Sequence, residues 1–381
     1  MKGDDTQLSE VQGDALLSVV VPVYNGGPWM ERCLDALLAS DYRRFEIIVC
    51  DDGSTDGGAT AWACRERGVE VLELDTNSGP AAARNRGAER ARGGILLFVD
   101  ADVIVRRKTL SRVAALLREQ PAAAAVFGSY DDAPEAANFI SQYKNLLHHF
   151  THQQASMRAE TFWAGCGAVR RAAFEAVGGF DEREYRRPSI EDIELGQRLR
   201  RAGLVVVLDK GLQVKHLKRW TFRSLLATDI FRRALPWSRL ILRGDGALID
   251  DLNLRVRERI SAALVGLALV LLALSCFTAF TAFTAFNTFT GATLNAFSAA
   301  LLAGAAAALA SVFLLNLRLF RFFRERRGNA FAAASFVMLV LYYFYSGTVF
   351  ALCYCERVFG KMFEAASPVR TEAKMRRGRD A

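Results

Sequence analysis

Residues 260–317 contain no charged side chain, an absence 58 positions long. It excludes an ordinary soluble helix, because such a helix carries charge on its outer face. A membrane-crossing helix needs about 20 apolar residues. The stretch has room for two, from Ile260 to about Phe280 and from Ala296 to Leu317. A third apolar segment runs from Ala330 to about Cys353. The Phe-Thr-Ala repeats of Phe277–Phe286 and the uncharged connector around Asn287–Asn295 carry no chemistry. Cysteine is sparse, and among the seven only Cys353-x-Cys355 has close spacing. That excludes a disulfide-stapled scaffold and leaves reduced structural thiols. Met1–Asp14 is polar and acidic and lacks the apolar run of a secretory signal. The first domain is therefore expected to stay in the cytoplasm. There are four histidines. His148-His149-x-x-His152 has a metal-compatible spacing, but no carboxylate or Cys lies usefully near it.

What charge there is falls unevenly. Residues 1–211 carry 26 basic and 31 acidic side chains, whereas residues 212–259 carry 11 and 5. Residues 318–327 hold five Arg and one Glu, and the tail from Glu356 holds seven basic and four acidic residues. The net charge of +8 thus gathers beside the apolar segments. That pattern favours attraction to anionic lipid and gives no reason to expect a nucleic-acid partner. By the positive-inside tendency, the first domain and the Arg318–Arg327 loop both face the cytoplasm. Two crossings satisfy this with the uncharged connector outside. A full third crossing carries the basic tail outside, against its charge, whereas a re-entrant third segment keeps it inside. Thr221–Arg259 is basic and amphipathic, with Trp220 and Trp237 beside or inside it, and suits helices lying in the bilayer interface.

The first half alternates strands and helices. Ser18–Tyr24 reads as a buried strand, left by a turn at Asn25–Pro28. Trp29–Ser40 has a helical pattern, Phe45–Cys50 is a second strand, and Val69–Leu74 is a short third. Gly79–Arg92 is a helix of small residues. Ile95–Val99, five apolar residues in a row, reads as a strand buried on both faces. Alternation of this kind predicts an α/β domain with a mostly parallel sheet. Pro121–Asp209 is less regular and fits an inserted acceptor-binding portion.

Polar residues appear where these strands end, which is where open α/β sheets bind ligands. Asp100 and Asp102 follow the Ile95–Val99 strand, and two acids at i and i+2 can hold a divalent metal that holds a diphosphate. Asp51-Asp52-Gly-Ser-Thr-Asp56 reads either as a base or ribose contact or as an Asx-type turn and helix cap. Arg84, on the small-residue helix, reads as a diphosphate or base contact or as a surface cation. Glu191, Asp192 and Glu194 open a helical pattern, where acids serve the helix dipole. A transfer to a hydroxyl also needs a general base, and Asp192 is the candidate. His216-Leu-Lys-Arg-Trp220 combines a metal or phosphate ligand, two cations and an indole; the alternative is an interfacial snorkelling segment.

In this order the segments resemble glycosyltransferase family 2, over roughly residues 17–235. The resemblance rests on Val19–Asn25, Asp51–Asp56, Gly79–Gly87 and Val99–Asp102. It continues with Gly165–Arg171, Gly178–Asp181, Glu191-Asp192 and His216-x-x-Arg219-Trp220. It implies a GT-A fold and an inverting transfer from a nucleotide-diphosphate sugar, with Mg or Mn as cofactor. By position, Pro22 and Tyr24 line the base pocket, Asp52 contacts the base, and Arg84 lies near the nucleotide. Asp100 and Asp102 face the metal and diphosphate, Asp192 is the base, and Arg219 and Trp220 form a post-catalytic binding segment. That segment is similar to the Gln-x-x-Arg-Trp of membrane synthases. His216 replaces the Gln, which adds metal ligation to the roles open to it. Few spans argue against a polymer-secreting channel.

The expected organisation is a flexible 1–16, a GT-A domain at 17–220 and interfacial helices at 221–259. Transmembrane helices within 260–355 (about 260–280, 296–317 and 330–353) and a basic tail at 356–381 complete it. The expected protein is a multi-pass, bacterial-type enzyme of the inner cell membrane with a lipid-linked acceptor. Alternatives are a polyprenyl-phosphate glycosyl transferase, whose anionic acceptor needs no base, and an inactive membrane-anchored binder of sugar nucleotides.

Overall fold

The β-branched and apolar runs become strands, as their composition favours. The computed structural model describes residues 15–243, 255–284 and 288–366. Almost all of the segment expected to be flexible, the start of the connector, part of the interfacial stretch and the tail beyond Ala366 lie outside these residues. In chain order the elements begin with β1 (Leu17–Val23), α1 (Gly27–Leu38), β2 (Phe45–Asp51), α2 (Ala59–Arg65) and β3 (Glu70–Glu73). Next come α3 (Pro80–Arg90), β4 (Ile95–Val99), β5 (Val103–Ile104), α4 (Thr109–Glu119), β6 (Ala123–Tyr130) and α5 (Phe139–Gln154). Then follow β7 (Arg158–Ala159), β8 (Cys166–Arg170), α6 (Arg171–Ala176), α7 (Glu191–Arg201) and β9 (Val205–His216).

The main sheet has the order β3-β2-β1-β4-β8-β6-β9-β5, with β7 paired to β9. Strands β3, β2, β1 and β4 run parallel. Their carboxyl ends therefore share one edge, which collects Pro22, Asp51 and Asp100. Strand β8 is antiparallel to β4, with Cys166 opposite Val99, so the start of β8 arrives at the same edge. Strand β9 brings its end there too, because His216 pairs with Val103 of β5. All residues of β1 and of β4 are buried, as the unbroken apolar runs require. The domain is thus α/β with a mixed, mostly parallel sheet. Helix α3 lies close on the sheet because its residues are small. A Cβ on Gly87 would meet Cys50 Sγ at 2.7 Å and collide with Val20.

The described residues divide into two compact units, 15–228, 255–258 and 316–336 in the first and the remainder in the second. Helix α8 (Phe222–Ala227) closes the first stretch, with Thr221 and Ser224 forming a capping box. The second unit starts with a π-helical segment, Thr228–Ala234 by its hydrogen bonds, and α9 (Leu235–Arg243). It continues with α10 (Val256–Thr284) and α11 (Thr288–Leu315). Ala268, Ala305 and Ala308 form a core with Leu264, Leu271, Leu272 and Leu309. Ser275 and Ser298 exchange hydrogen bonds across the same pair of helices, Oγ to Oγ at 2.8 Å. Small residues and serine hydroxyls are the usual adhesives of helices in lipid.

Helix α12 (Leu317–Arg327) and the long α13 (Asn329–Ala366) complete the chain. Three helices are long and apolar enough to cross a membrane: Val256–Thr284, Gly291–Leu315 and Asn329–Phe359. The third apolar segment is one unbroken helix. Helix α12, between the second and third of these, packs on α5 within the first unit. Arg326 pairs with Asp132 at 2.8 Å, and Arg327 Nε donates to Gln142 Oε1 at 2.7 Å. Phe322 stacks on His149 and meets Phe150, while Phe323 meets Tyr143. The exposed ion pair adds at most about 1 kcal/mol, so the rings carry most of this contact.

Because α12 packs on the α/β domain, the two are expected on one side of any membrane that the apolar helices cross. In a background lacking the exposed Cys276 and Cys355, single cysteines at Arg321 and Glu66 should respond alike to a membrane-impermeant maleimide on intact cells. Labelling of one with protection of the other overturns this.

Candidate functional site

The carboxylates at the sheet edge are held by one buried cation. Arg84 of α3 is 5% exposed. Its Nη2 donates to Asp100 Oδ1 at 2.7 Å and its Nη1 to Glu191 Oε1 at 2.9 Å. The surface-cation alternative for Arg84 is thereby corrected: the helix is packed too closely on the sheet for its side chain to reach solvent. The Gly178–Asp181 turn serves the same helix. Asn85 exchanges hydrogen bonds with the backbone of Phe180, whose ring lies under the guanidinium. Burial opposes the Arg84 charge, but Asp100, Glu191 and Asp192 outweigh it and raise its pKa. From the sequence Glu191 had only a helix-dipole role; its pairing with Arg84 is a further one.

Asp192 sits beside this pair in the first turn of α7. Its Oδ2 accepts from Ala164 N–H at 3.2 Å, just before β8. Its Oδ1 accepts from Ile193 N–H. Burial and the like charge of Glu191 push its carboxyl up to about 7, against Arg84 and the two amides. A carboxylate poised there is suited to take a proton near neutrality.

Asp102 faces the end of β9. His216 Nε2 lies 3.5 Å from its Oδ2, and Leu217 N–H donates to its carbonyl at 2.9 Å. Burial raises the Asp102 carboxyl, but His216 and Lys218 outweigh it and leave the pKa below the ordinary range. For Asp100, burial prevails over Arg84 and raises the pKa. The His216 ring is stacked on Tyr130, centroids 4.1 Å apart and planes 17° from parallel. Tyr130 was not picked out from the sequence. His149 and His152 are used elsewhere: their Nδ1 atoms bond the Tyr130 and Gly128 carbonyls. Burial pushes His152 down to about 4, which keeps it neutral.

The base-binding candidates are only partly free. Tyr24 is 48% exposed. Asp52 is buried and receives Ser78 N–H and Gly79 N–H on its two oxygens, at 2.7 and 2.8 Å. It fastens the loop before α3, where Gly79 has φ +93°. Asp51 accepts from Ser54 N–H as an Asx turn, and Asp56 accepts from Thr60. Arg219 is exposed, whereas Trp220 is buried. Lys218 Nζ lies 4.4 Å from the Trp220 ring centroid.

Asp102 and His216, with the second oxygen of Asp100, offer oxygen and nitrogen donors that suit Mn or Mg. Among the described residues no group of three such side chains is preassembled. The arrangement fits an ion completed by substrate phosphates, the usual manner for Mg.

Comparison with known proteins agrees with this geometry. Residues 18–178 match the model of glycosyl transferase family 2. Glycosyltransferase GlyG of Streptococcus pneumoniae is 33% identical over 127 residues, 32% of this chain and 42% of that protein. The putative teichuronic acid biosynthesis glycosyltransferase TuaG of Bacillus subtilis is 29% identical over 147 residues, 35% of this chain and 58% of that protein. The chain thus spans about half the length of these curated relatives. A solved mannosyltransferase, PcManGT from Pyrobaculum calidifontis in complex with GDP-Man and Mn2+, superposes with a TM-score of 0.52. The match has 19% identity and covers 89% of this chain and 87% of that one. The shared fold is GT-A, and residues 18–178 form a domain that matches glycosyl transferase family 2.

Proposed function

We propose that this protein is an inverting glycosyltransferase that moves a sugar from a nucleotide-diphosphate donor to a lipid-linked acceptor. The observation that carries the reading is one sheet edge holding both Asp102–His216 and, across the Arg84 clamp, Asp192. The first pair suits the leaving diphosphate and the second group suits the attacking hydroxyl. Pro22 and Tyr24 border the base, and Arg84 keeps Asp100 in place. Asp192 takes the acceptor proton, and attack from the face opposite the leaving group inverts the anomeric carbon. Asp102, His216 and Asp100 would hold a divalent ion, which would neutralise charge on the leaving nucleoside diphosphate. The GDP-Man and Mn2+ of the mannosyltransferase structure support this donor class and ion.

The lipid acceptor is supported by the three apolar helices and by the basic stretch that joins the catalytic domain to the first of them. Each Lys or Arg near an anionic surface contributes about 1 kcal/mol. In this reading the helices cross the inner cell membrane, with the catalytic domain and α12 in the cytoplasm. Domain limits of 17–220, 221–259 and 260–355 follow from the same reading. Membranes containing the protein should transfer label from one nucleotide sugar into the lipid fraction, with inverted configuration in the product. Transfer only to water-soluble acceptors, or with retention, contradicts the reading.

Asp192→Asn should lower turnover by about 10²-fold or more, with donor binding nearly unchanged. The wild-type rate should climb with pH up to about 7, where Asp192 ionises, and that limb should vanish in the variant. The stability effect has the opposite sign. The folded state holds the Asp192 proton more tightly than the unfolded chain, so the acid costs stability as pH rises from about 4 through about 7. The variant should therefore melt higher at pH 8 and like wild type near pH 4. Equal turnover, or a lower melting temperature at pH 8, overturns the assignment.

Metal dependence has its own readouts. Asp102→Ala and His216→Ala should each weaken Mn2+ binding measured by electron paramagnetic resonance in the presence of a nucleoside diphosphate. Excess chelator should stop transfer. Full activity in chelator contradicts the metal role.

A further inference from the structure

We propose that Lys218 is a catalytic residue that contacts the donor diphosphate, with the Trp220 indole as its platform. The inference rests on the glycosyl-transfer reading and deepens it, because sequence resemblance pointed to Arg219 in this segment. Lys218 follows Leu217, whose N–H donates to the Asp102 carbonyl at 2.9 Å. The backbone thus delivers Lys218 beside the carboxylate expected to face the diphosphate. Its Nζ lies over the Trp220 ring, 4.4 Å from the centroid. The platform is itself fixed. Trp220 N–H donates to Ser141 Oγ at 2.7 Å, and its carbonyl accepts from Asn138 Nδ2 at 2.8 Å. Both partners flank the start of α5.

Charge pairing makes the case sharper. Asp100 and Glu191 are taken by Arg84, and Asp102 is paired with His216. Among the described ion pairs Lys218 has none, although it is half-buried. A partly desolvated ammonium without a carboxylate is unfavourable until an anion arrives. An ammonium is also a compact point charge with three donors, well suited to phosphate oxygens. During transfer the bond between the anomeric carbon and the β-phosphate oxygen breaks, and its electron pair stays on that oxygen. The acceptor oxygen bonds to the carbon, and its proton passes to Asp192. Lys218 meets the negative charge that accumulates on the diphosphate. Arg219, at the next position, is exposed.

The test is calorimetry on the full-length protein in detergent with Mn2+, using UDP, GDP, uridine and guanosine as probes. Wild type should bind one of the two diphosphates. Lys218→Gln should weaken that binding by about tenfold or more, the size of one lost charged hydrogen bond. Affinity for the matching nucleoside should not change, and Lys218→Arg should restore most of the diphosphate affinity. Trp220→Phe keeps a ring and should behave like wild type, whereas Trp220→Leu should match Lys218→Gln. Equal diphosphate affinity in Lys218→Gln, or a parallel loss for the nucleoside, overturns the role of Lys218 alone. A wild-type protein that binds neither diphosphate overturns the glycosyl-transfer reading and this inference with it.

Discussion

The buried guanidinium of Arg84 is the interaction on which the reactive edge depends. It joins three elements that are distant in sequence: the helix that carries it, the strand ending at Asp100 and the helix beginning at Glu191. Breaking a buried ion pair from one side strands a charge, at about 3–5 kcal/mol. The clamp therefore sets the position of Asp100 and of the turn that presents Asp192. It demands small residues around it. Ala81, Ala82, Ala83 and Gly87 let α3 lie on the sheet, and Asp52 fixes the loop that leads into the helix. Residues that resemble nucleotide contacts in sequence thus spend much of their bonding capacity on holding the edge together.

A second organising element is α5. Gln142 receives Arg327, while Asn138 and Ser141 grip the Trp220 backbone. His149 and His152 bond β6 carbonyls, and β6 ends at Tyr130, the ring under His216. One helix therefore carries both the contact with α12 and the supports of the His216–Trp220 segment. A change in how α12 is held has a short, packed route to the residues assigned to the diphosphate. This is a route by contiguity; coupling along it would require α5 to have a second arrangement.

The sheet was legible because its strands are buried on both faces, so Val19–Val23 and Ile95–Val99 appear as unbroken apolar runs. The strand-end acids were legible for the same reason, since a carboxylate directly after such a run must sit at an edge. The apolar helices announced themselves by the missing charge. Pairings were not legible. Arg84 and Glu191 are 107 positions apart, and no local pattern records that they meet. The Tyr130–His216 stack joins β6 to β9 in the same hidden manner. The burial of Trp220 was not legible either: an indole beside Arg and Lys reads as exposed to a ligand, yet its ring is buried with Lys218 Nζ over it. The docking of α12 through Phe322 and Phe323 was not legible, because nothing in their spacing names α5.

The edge brings together more negative than positive side-chain charge. Asp100, Glu191 and Asp192 surround Arg84, and Asp102 faces His216, with Lys218 nearby in sequence. Burial and mutual repulsion raise Asp100 and push Asp192 up to about 7. For folding alone this is a poor arrangement, and an apolar substitute would be more comfortable. Such local conflict is characteristic of functional sites, where stability is given up for chemistry. The imbalance also has a direction. Adding a diphosphate to this edge would increase its negative charge, so the donor cannot enter without cations to accompany it. Arg84 is already committed to two carboxylates. In the proposed reading the remaining charge comes from Lys218 and from a divalent ion that Asp102 and His216 would hold, leaving Asp192 free to take the acceptor's proton.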